Sequence, residues 1–132
     1  MKSHTDILQR ILETKLDEIE SLKDRVVDLR DAAENSAPTR DFMGCLSEGE
    51  SVAVIAELKR RSPGAGPIRM DLDPLQIAPS YEAGGAAALS VLTDQEYFNG
   101  SLDDLIAVRR LVSLPILRKD FVVHESQVYE SR

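Results

Sequence analysis

The sequence predicts an α/β fold built around parallel strands. Three apolar runs lie about 30 residues apart with helical periodicity between them, a spacing that suits βαβ units. The second and third runs, AAALSVLT and LPILRK, are apolar at successive positions, as strands buried on both faces usually are. A long helical pattern precedes the first run. We therefore predict an N-terminal helical extension over residues 1–50 and the first βα units over residues 51–132.

Composition excludes several classes of function. The 132 residues are 42% hydrophobic and 30% charged, which is enough apolar chain for a single core. The apolar runs are far shorter than the ~20 residues of a membrane span and the polar start MKSHTD is unlike a signal peptide, so we expect a cytoplasmic protein that does not contact membranes. The net charge of −7 argues against binding nucleic acid. Cys45 has no ligand partners at metal-binding spacing, and we expect a small core residue and no metal site.

The first predicted element is a long helix from Ser3 to about Asn35, in which apolar residues recur at three- and four-residue steps. A coiled coil is the alternative. Adjacent apolar residues such as Ile7 and Leu8 make the stripe broader than a coiled-coil seam, so we favour a helix packed on the rest of the chain. Thr39 is expected to cap a short helix that runs to Leu46.

Three strands follow this helical region. The run VAVIAELK, residues 52–59, predicts the first strand, residues 86–93 predict the second, and residues 114–119 predict the third. Asp73 and Pro74 predict the start of the helix after the first strand, because Asp caps helices well and Pro suits the first helical position.

The helix boundaries near the second strand also have local signals. The pair Gly84–Gly85 predicts the end of the first of these helices, because glycine readily adopts the left-handed conformation of a helix end. Ser101 and Asp104 have the three-residue spacing of a capping box, which predicts the start of the next helix. Short turns join all these elements, so the pattern is that of one continuous α/β unit.

Charged residues lie at the ends of two predicted strands. In the first strand Ile55, Glu57 and Lys59 share one face, and Lys119 leaves the third strand on the same side of the sheet. Parallel α/β folds place their binding sites at the carboxyl ends of strands. Two lysines and a glutamate there could bind an anion and move a proton. The alternative is that these charges are solvated or paired with each other.

Three longer stretches resemble one enzyme family. The runs VIAELKRRSPGAGPI, DPLQIAPSYEAGGAAALSVLTDQEYFNGSLDDL and LPILRKDFVV together resemble indole-3-glycerol phosphate synthase of tryptophan biosynthesis, over roughly Ile7 to Arg132. The resemblance implies a (β/α)8 TIM barrel, of which this chain would hold about three parallel strands after the helical extension. It implies the conversion of 1-(2-carboxyphenylamino)-1-deoxyribulose 5-phosphate to indole-3-glycerol phosphate, with loss of CO2 and water and without a cofactor.

The resemblance also implies roles for the charged residues. Lys119 matches the family's general-acid lysine, and Lys59 matches the lysine that helps hold the substrate carboxylate and the anionic intermediate. Glu57 matches the carboxylate that orients these lysines and a substrate hydroxyl. The partner implied is therefore a phosphorylated, anthranilate-derived small molecule. A lysine can act as an acid when nearby positive charge or desolvation lowers its proton affinity.

Three further residues are implied to bind substrate. Ser62 and Pro63 match a substrate-contacting loop, with the alternative that they only set a turn. Phe98 matches an aromatic residue that packs against the substrate's ring, with the alternative that it anchors a loop to the core.

The neighbouring charges are expected to have lesser roles. Arg60, Arg61 and Arg118 could attract an anionic substrate, but we expect solvated surface charges. Asp120 is expected to orient the loop after the third strand rather than to react.

Two features depart from the family pattern. Gly64 stands where the family usually has a serine, which removes a hydroxyl and loosens the loop. A complete barrel usually takes ~250 residues, so we expect a truncated chain that is inactive alone, with a second glutamate and the phosphate site on later strands. The alternative function is a non-catalytic barrel fragment that acts as an interaction module, self-associating through its open sheet edge.

Overall fold

The computed structural model describes residues 4–132, with side chains from Asp6 onward. The chain divides into two compact units, one formed by the residues up to Thr39 with Phe121–Arg132 and the other by Arg40–Asp120. The division into residues 1–50 and 51–132 stays a prediction. The helices and strands follow in the order α1 (His4–Glu20), α2 (Val26–Glu34), α3 (Phe42–Ser47), β1 (Ile55–Leu58), β2 (Arg61–Ser62), β3 (Gly66–Pro67), α4 (Pro74–Ala83), β4 (Ala88–Leu92), α5 (Leu102–Leu111), β5 (Ile116–Lys119) and α6 (Glu125–Ser131).

The first unit contains α1, α2 and α6, and α2 packs against α6. The prediction of one uninterrupted helix to Asn35 is wrong, and its predicted start at Ser3 lies outside the described residues. After α1 the amides of Ser21 and Leu22 bond to carbonyls three residues back, and a short 3-10 turn, Lys23–Arg25, leads into α2. The Ser21 hydroxyl also donates to the Glu18 carbonyl. Such side-chain bonds compete with the backbone hydrogen bonds of a helix, which is how serine disturbs a helix interior.

The second unit is built on a three-stranded sheet in the order β1–β4–β5, with both pairs of strands parallel. Helix α4 connects β1 to β4, and helix α5 connects β4 to β5. The α/β prediction is therefore confirmed. Consecutive parallel strands with a helix between each pair are the arrangement of successive units in a (β/α)8 barrel.

Local capping signals explain where the helices of this unit begin. Asp73 accepts a hydrogen bond from the Leu75 amide at 3.0 Å with Pro74 in the first helical position, as predicted for α4. Ser101 caps α5 by accepting from the amide of Asp104 at 3.1 Å, which confirms the predicted helix start, but the Asp104 carboxylate bonds to Arg60 instead of completing the predicted capping box. Thr39 was expected to cap α3, and this expectation is wrong.

The cap of α3 is Asp41, whose carboxylate accepts from the Gly44 amide at 2.8 Å. Because Asp41 lies directly before the helix, its oxygen reaches the free amides of the first turn, which Thr39 is too far back to cap.

The strands are also shorter than the apolar runs that predicted them. The antiparallel pair β2–β3 was not predicted, and Gly66, the first residue of β3, has the left-handed φ of +68° that glycine tolerates.

The two faces of the parallel sheet differ. Leu58, Val91 and Arg118 pair across the strands on one face, which we call the helix side because Leu58 and Val91 belong to the same buried cluster as apolar residues of α4 and α5. The opposite face, the site side, holds Glu57 level with Ser90 and Leu117. The buried cluster consists of Leu58, Leu72, Ala78, Leu89, Val91, Val108 and Val112. Among residues 4–132, no helix is long and apolar enough to cross a bilayer.

Candidate functional site

The site side brings two predicted residues together at the carboxyl end of β1. Lys59 Nζ lies 3.3 Å from Glu57 Oε1, and both side chains are about one-third exposed. Ser90, on the neighbouring strand, donates its hydroxyl hydrogen to Glu57 Oε2 at 2.9 Å. Glu57 is therefore held by a different partner at each oxygen, and Lys59 keeps further donors that a substrate anion could use.

Lys119 lies on the same side of the sheet at the end of β5. The register pairs Lys119 with Leu92 of the central strand, and Lys59 comes directly after Leu58, which pairs with Val91. The two lysines are thus level with each other, one on each edge strand. Neighbouring strands lie ~4.8 Å apart, so the two lysine backbones are separated by about 10 Å, a span that long side chains can close around a small molecule.

A second polar group lies on the helix side, behind Lys119. Arg118 Nε donates to Thr93 Oγ1 at 3.1 Å, and Thr93 Oγ1 donates to Asp120 Oδ2 at 2.5 Å. Arg118 Nη2 is 3.5 Å from the same Asp120 oxygen, and the Arg118 and Asp120 side chains are only 11% and 3% exposed. The expectation that Arg118 is a solvated surface charge is wrong, because Thr93 and Asp120 give this guanidinium partners away from water.

Arg60 is also paired rather than solvated, contrary to expectation. Its guanidinium forms a two-pronged ion pair with the carboxylate of Asp104 and donates to the carbonyls of Asn99 at 3.0 Å and Leu72 at 3.2 Å. The carboxylate of Asp104 therefore pairs with Arg60, while the backbone amide of Asp104 donates to the hydroxyl of Ser101.

The three residues predicted to bind substrate lie at the turn between β2 and β3 and at a small cavity. The Ser62 hydroxyl accepts a hydrogen bond from the Ala65 amide at 3.1 Å, so in this structure it supports the turn between β2 and β3. Pro63 is exposed in that turn. Phe98 is half-buried and lines a small cavity together with Arg60 and the helix-side residues Leu58 and Val91.

Two further observations, one of side-chain chemistry and one of sequence similarity, bear on the function of this site. In the part of the chain that the structure describes, no group of three or more His, Cys, Asp or Glu side chains could hold a metal ion. The family model for indole-3-glycerol phosphate synthase matches residues 8–132. The chain belongs to the indole-3-glycerol phosphate synthase family. The resemblance inferred from the residues is thereby confirmed.

Named relatives carry the same description. An indole-3-glycerol phosphate synthase of Laribacter hongkongensis is 47% identical over 133 residues, which cover 97% of this chain and 51% of the relative. One from Crocosphaera subtropica is 43% identical, covering 96% of this chain and 44% of the relative. One from Rhodopirellula baltica is 55% identical over 101 residues, which cover 76% of this chain and 39% of the relative. The chain spans about half the length of these curated indole-3-glycerol phosphate synthases.

Two polar residues, Ser90 in β4 and Thr93 directly after it, were not assigned a role from sequence. Ser90 and Thr93 both lie in the SVLT run, but Ser90 contacts Glu57 on the site side and Thr93 contacts Arg118 and Asp120 on the helix side. Strand alternation contained a signal for this difference, because residues an odd number of positions apart face opposite sides. Polar residues within an otherwise apolar strand need partners, and that need pointed to neighbouring strands.

Proposed function

We propose that the protein containing this chain is an indole-3-glycerol phosphate synthase, a decarboxylating carbon–carbon lyase of tryptophan biosynthesis. Its substrate is 1-(2-carboxyphenylamino)-1-deoxyribulose 5-phosphate, and its products are indole-3-glycerol phosphate, CO2 and water. No cofactor is required, and the cytoplasm is its proposed location. Support comes from family membership over residues 8–132 and from the placement of charged residues at the ends of the parallel strands.

The single observation that carries the proposal is the Glu57–Lys59 pair on the same side of the sheet as Lys119. The reaction begins when the ring carbon that bears the carboxylate attacks the sugar carbonyl. That carbonyl oxygen must gain a proton as the new carbon–carbon bond forms. CO2 then leaves and restores the aromatic ring. The new hydroxyl leaves as water with help from the electrons of the ring nitrogen, and loss of a proton from the neighbouring CH2 forms the carbon–carbon double bond of the five-membered ring.

The chain's own residues supply part of what these steps need. Lys119 donates the proton to the carbonyl oxygen, while Lys59 holds the substrate carboxylate and stabilises the anionic intermediate. Glu57 orients Lys59 and a substrate hydroxyl, and the hydrogen bond from Ser90 fixes the plane of its carboxylate. Groups that are already oriented stabilise developing charge without having to reorganise during the reaction.

The remaining predicted residues contribute to binding. We propose that Phe98 packs against the aromatic ring of the substrate, and that Ser62 and Pro63 shape the loop beside it. The contact of the Ser62 hydroxyl with the Ala65 amide supports a shaping role for this serine more than a direct bond to substrate.

The test joins this chain to the C-terminal half of the Laribacter hongkongensis relative, giving a protein that we call the joined barrel. In a tryptophan auxotroph that lacks its own synthase, the joined barrel is expected to restore growth, and the purified protein is expected to form indole-3-glycerol phosphate. The relative's C-terminal half alone is the control. The 132-residue polypeptide alone is expected to be inactive, because it holds only three parallel strands among its described residues. A folded joined barrel without product formation would contradict the proposal.

A second candidate function is self-association through the sheet. Strands β1 and β5 are the edges of the three-stranded sheet, and on its site side the apolar residues Ile55 and Leu117 remain 43% and 42% exposed. Unpaired strand edges beside apolar surface favour pairing with another chain. The 132-residue polypeptide is therefore proposed to form dimers or larger assemblies.

A further inference from the structure

The hydrogen-bonded group on the helix side surrounds the position from which Lys119 projects. Arg118 and Asp120 are its two neighbours in the chain, and both side chains bond or pair on the helix side. Lys119 itself is exposed on the opposite face. The buried side chains and the lysine thus lie on opposite faces of the same three-residue segment.

Thr93 contacts this segment at three points. Its backbone amide donates to the carbonyl of Lys119 at 3.1 Å. Its hydroxyl accepts from Arg118 Nε and donates to Asp120 Oδ2. Thr93, the residue directly after β4, therefore holds the carbonyl of Lys119 and the side chains on either side of it, which fixes the direction in which the lysine leaves the sheet.

We propose that Thr93, together with Arg118 and Asp120, is a positioning residue for Lys119. The bonds among these three side chains lie on the helix side, and Thr93 connects them to the Lys119 carbonyl through its backbone amide. A hydroxyl is the group that suits this place, because it accepts one hydrogen bond and donates another at the same atom. Valine has the shape of threonine without either capacity.

Position matters for a general acid because the proton must be delivered at hydrogen-bond distance in the transition state. A displacement of ~1 Å can cost ~100-fold in rate, even when the altered residue is far from the reacting atoms. The effect on turnover rests on the function proposed above for Lys119. The effect on the backbone of Lys119 does not, so the two can fail separately.

The first experiment measures that backbone directly, in the 132-residue chain, by NMR relaxation and amide hydrogen exchange. In Thr93→Val we expect the amide order parameter of Lys119 to fall from about 0.85, the value of rigid backbone, toward about 0.6. The Thr93-position amide should also exchange faster, because its acceptor is the Lys119 carbonyl. Thr93→Ser keeps the hydroxyl and should behave like the parent. The amide of Lys59, which directly follows the other edge strand, is the internal control.

Val91→Ala distinguishes positioning from a general loss of stability. Val91 lies in β4 and is buried on the face toward which Thr93 also points, but its side chain only packs. At matched stability, Val91→Ala should leave the order parameter of Lys119 unchanged. Equal changes in Val91→Ala and Thr93→Val, or no change in Thr93→Val, would overturn the proposal. If Thr93→Val does not fold, Arg118→Gln removes the guanidinium from the same group and is expected to give the same local change.

The second experiment measures kinetics in the joined barrel. Thr93→Val is expected to lower kcat by about ten- to a hundredfold with little change in KM, and Thr93→Ser should retain most of the activity. Equal losses in both variants would contradict a role for the hydroxyl. An inactive parent would instead refute the function proposed for the chain, while the NMR result would still decide whether Thr93 positions Lys119.

Discussion

Ser90 and Glu57 face each other across β4 and β1, and the serine hydroxyl donates to Glu57 Oε2 at 2.9 Å. The other carboxylate oxygen lies 3.3 Å from Lys59 Nζ. Because Ser90 is 3% exposed and lies on the central strand, it is the more firmly held member of the pair. The direction of the Glu57 carboxylate, and with it the position of the Lys59 ammonium group, therefore depends on a residue that has no charge of its own.

Replacing Ser90 with alanine tests this dependence. The variant removes a hydrogen bond to a charged group, which is typically worth ~1.5–3 kcal/mol, so kcat/KM of the joined barrel should fall by about tenfold or more. Steady-state kinetics give this value, and urea unfolding gives the accompanying loss of stability. Ser80→Ala is the matched control, because Ser80 is exposed and bonds only locally to the Gln76 carbonyl. Equal activity in both variants would show that Ser90 does not orient the site.

Lys119 and Lys59 are expected to respond differently to substitution. Lys119→Met keeps much of the apolar stem but removes the proton and the charge, so turnover of the joined barrel should fall by at least ~100-fold, with a smaller change in substrate affinity. Lys59→Met should weaken substrate binding as well as rate. Lys23→Met, at an exposed lysine of the first unit, is the control. Intact turnover in Lys119→Met with lost turnover in Lys59→Met would mean that the two roles are reversed.

The hydrogen bonds between Glu82 and the loop before β5 should make the stability of the fold depend on pH in the acidic range. The hydroxyl and amide of Ser113 both donate to Glu82 Oε1, and these hydrogen bonds lower the pKa of Glu82 below its ordinary value. A lowered pKa in the folded state stabilises the fold above about pH 4.3, and this contribution is lost as the pH falls through the lowered pKa. Glu82→Gln should therefore be less stable than the parent at pH 7, and the difference should shrink below about pH 4.

Urea unfolding of parent and Glu82→Gln across this pH range measures the difference in the free energy of unfolding. Glu48→Gln, at an exposed residue just after α3, controls for the loss of one negative charge. A stability difference that is the same at pH 3 and pH 7 would show that the charge of Glu82 is not responsible.

The 132-residue polypeptide is expected to self-associate. Leu117→Ser removes an apolar side chain that is 42% exposed on the site side of edge strand β5, and it should shift the distribution toward monomer. Leu111→Ser is a control of similar exposure on α5, at 50%. Sedimentation velocity at several concentrations separates these species. A parent chain that stays monomeric at all of them would contradict association through the sheet.

Features coded by neighbouring residues were predictable from sequence. The starts of α4 and α5 follow from Asp73, Pro74 and Ser101, because a cap and its helix lie within a few residues. The parallel sheet followed from the spacing and apolar character of three runs. The face shared by Glu57 and Lys59 followed from alternation along a single strand.

Features that depend on distant partners were not predictable. Arg118 was expected to be solvated because its type and neighbours do not reveal Thr93, which lies 25 residues earlier and faces it only once the register is set. The contact between Ser90 and Glu57 likewise requires the pairing of β1 with β4. The interruption after α1 was missed because Ser21 is compatible with a helix, and only its hydrogen bonds show the tighter turn.

The hydrogen bonds and the ion pair made by the Arg60 side chain have a consequence for the kinetics of folding. Its side chain bonds to Leu72, Asn99 and Asp104, which are 12, 39 and 44 residues away, so the segment before α4, the loop after β4 and the start of α5 must all be in place before every bond can form. Contacts that form after the rate-limiting barrier slow unfolding and leave the folding rate almost unchanged. The bonds of Arg60 should therefore form late in folding, so that they lower the unfolding rate of this unit and leave its folding rate nearly unchanged.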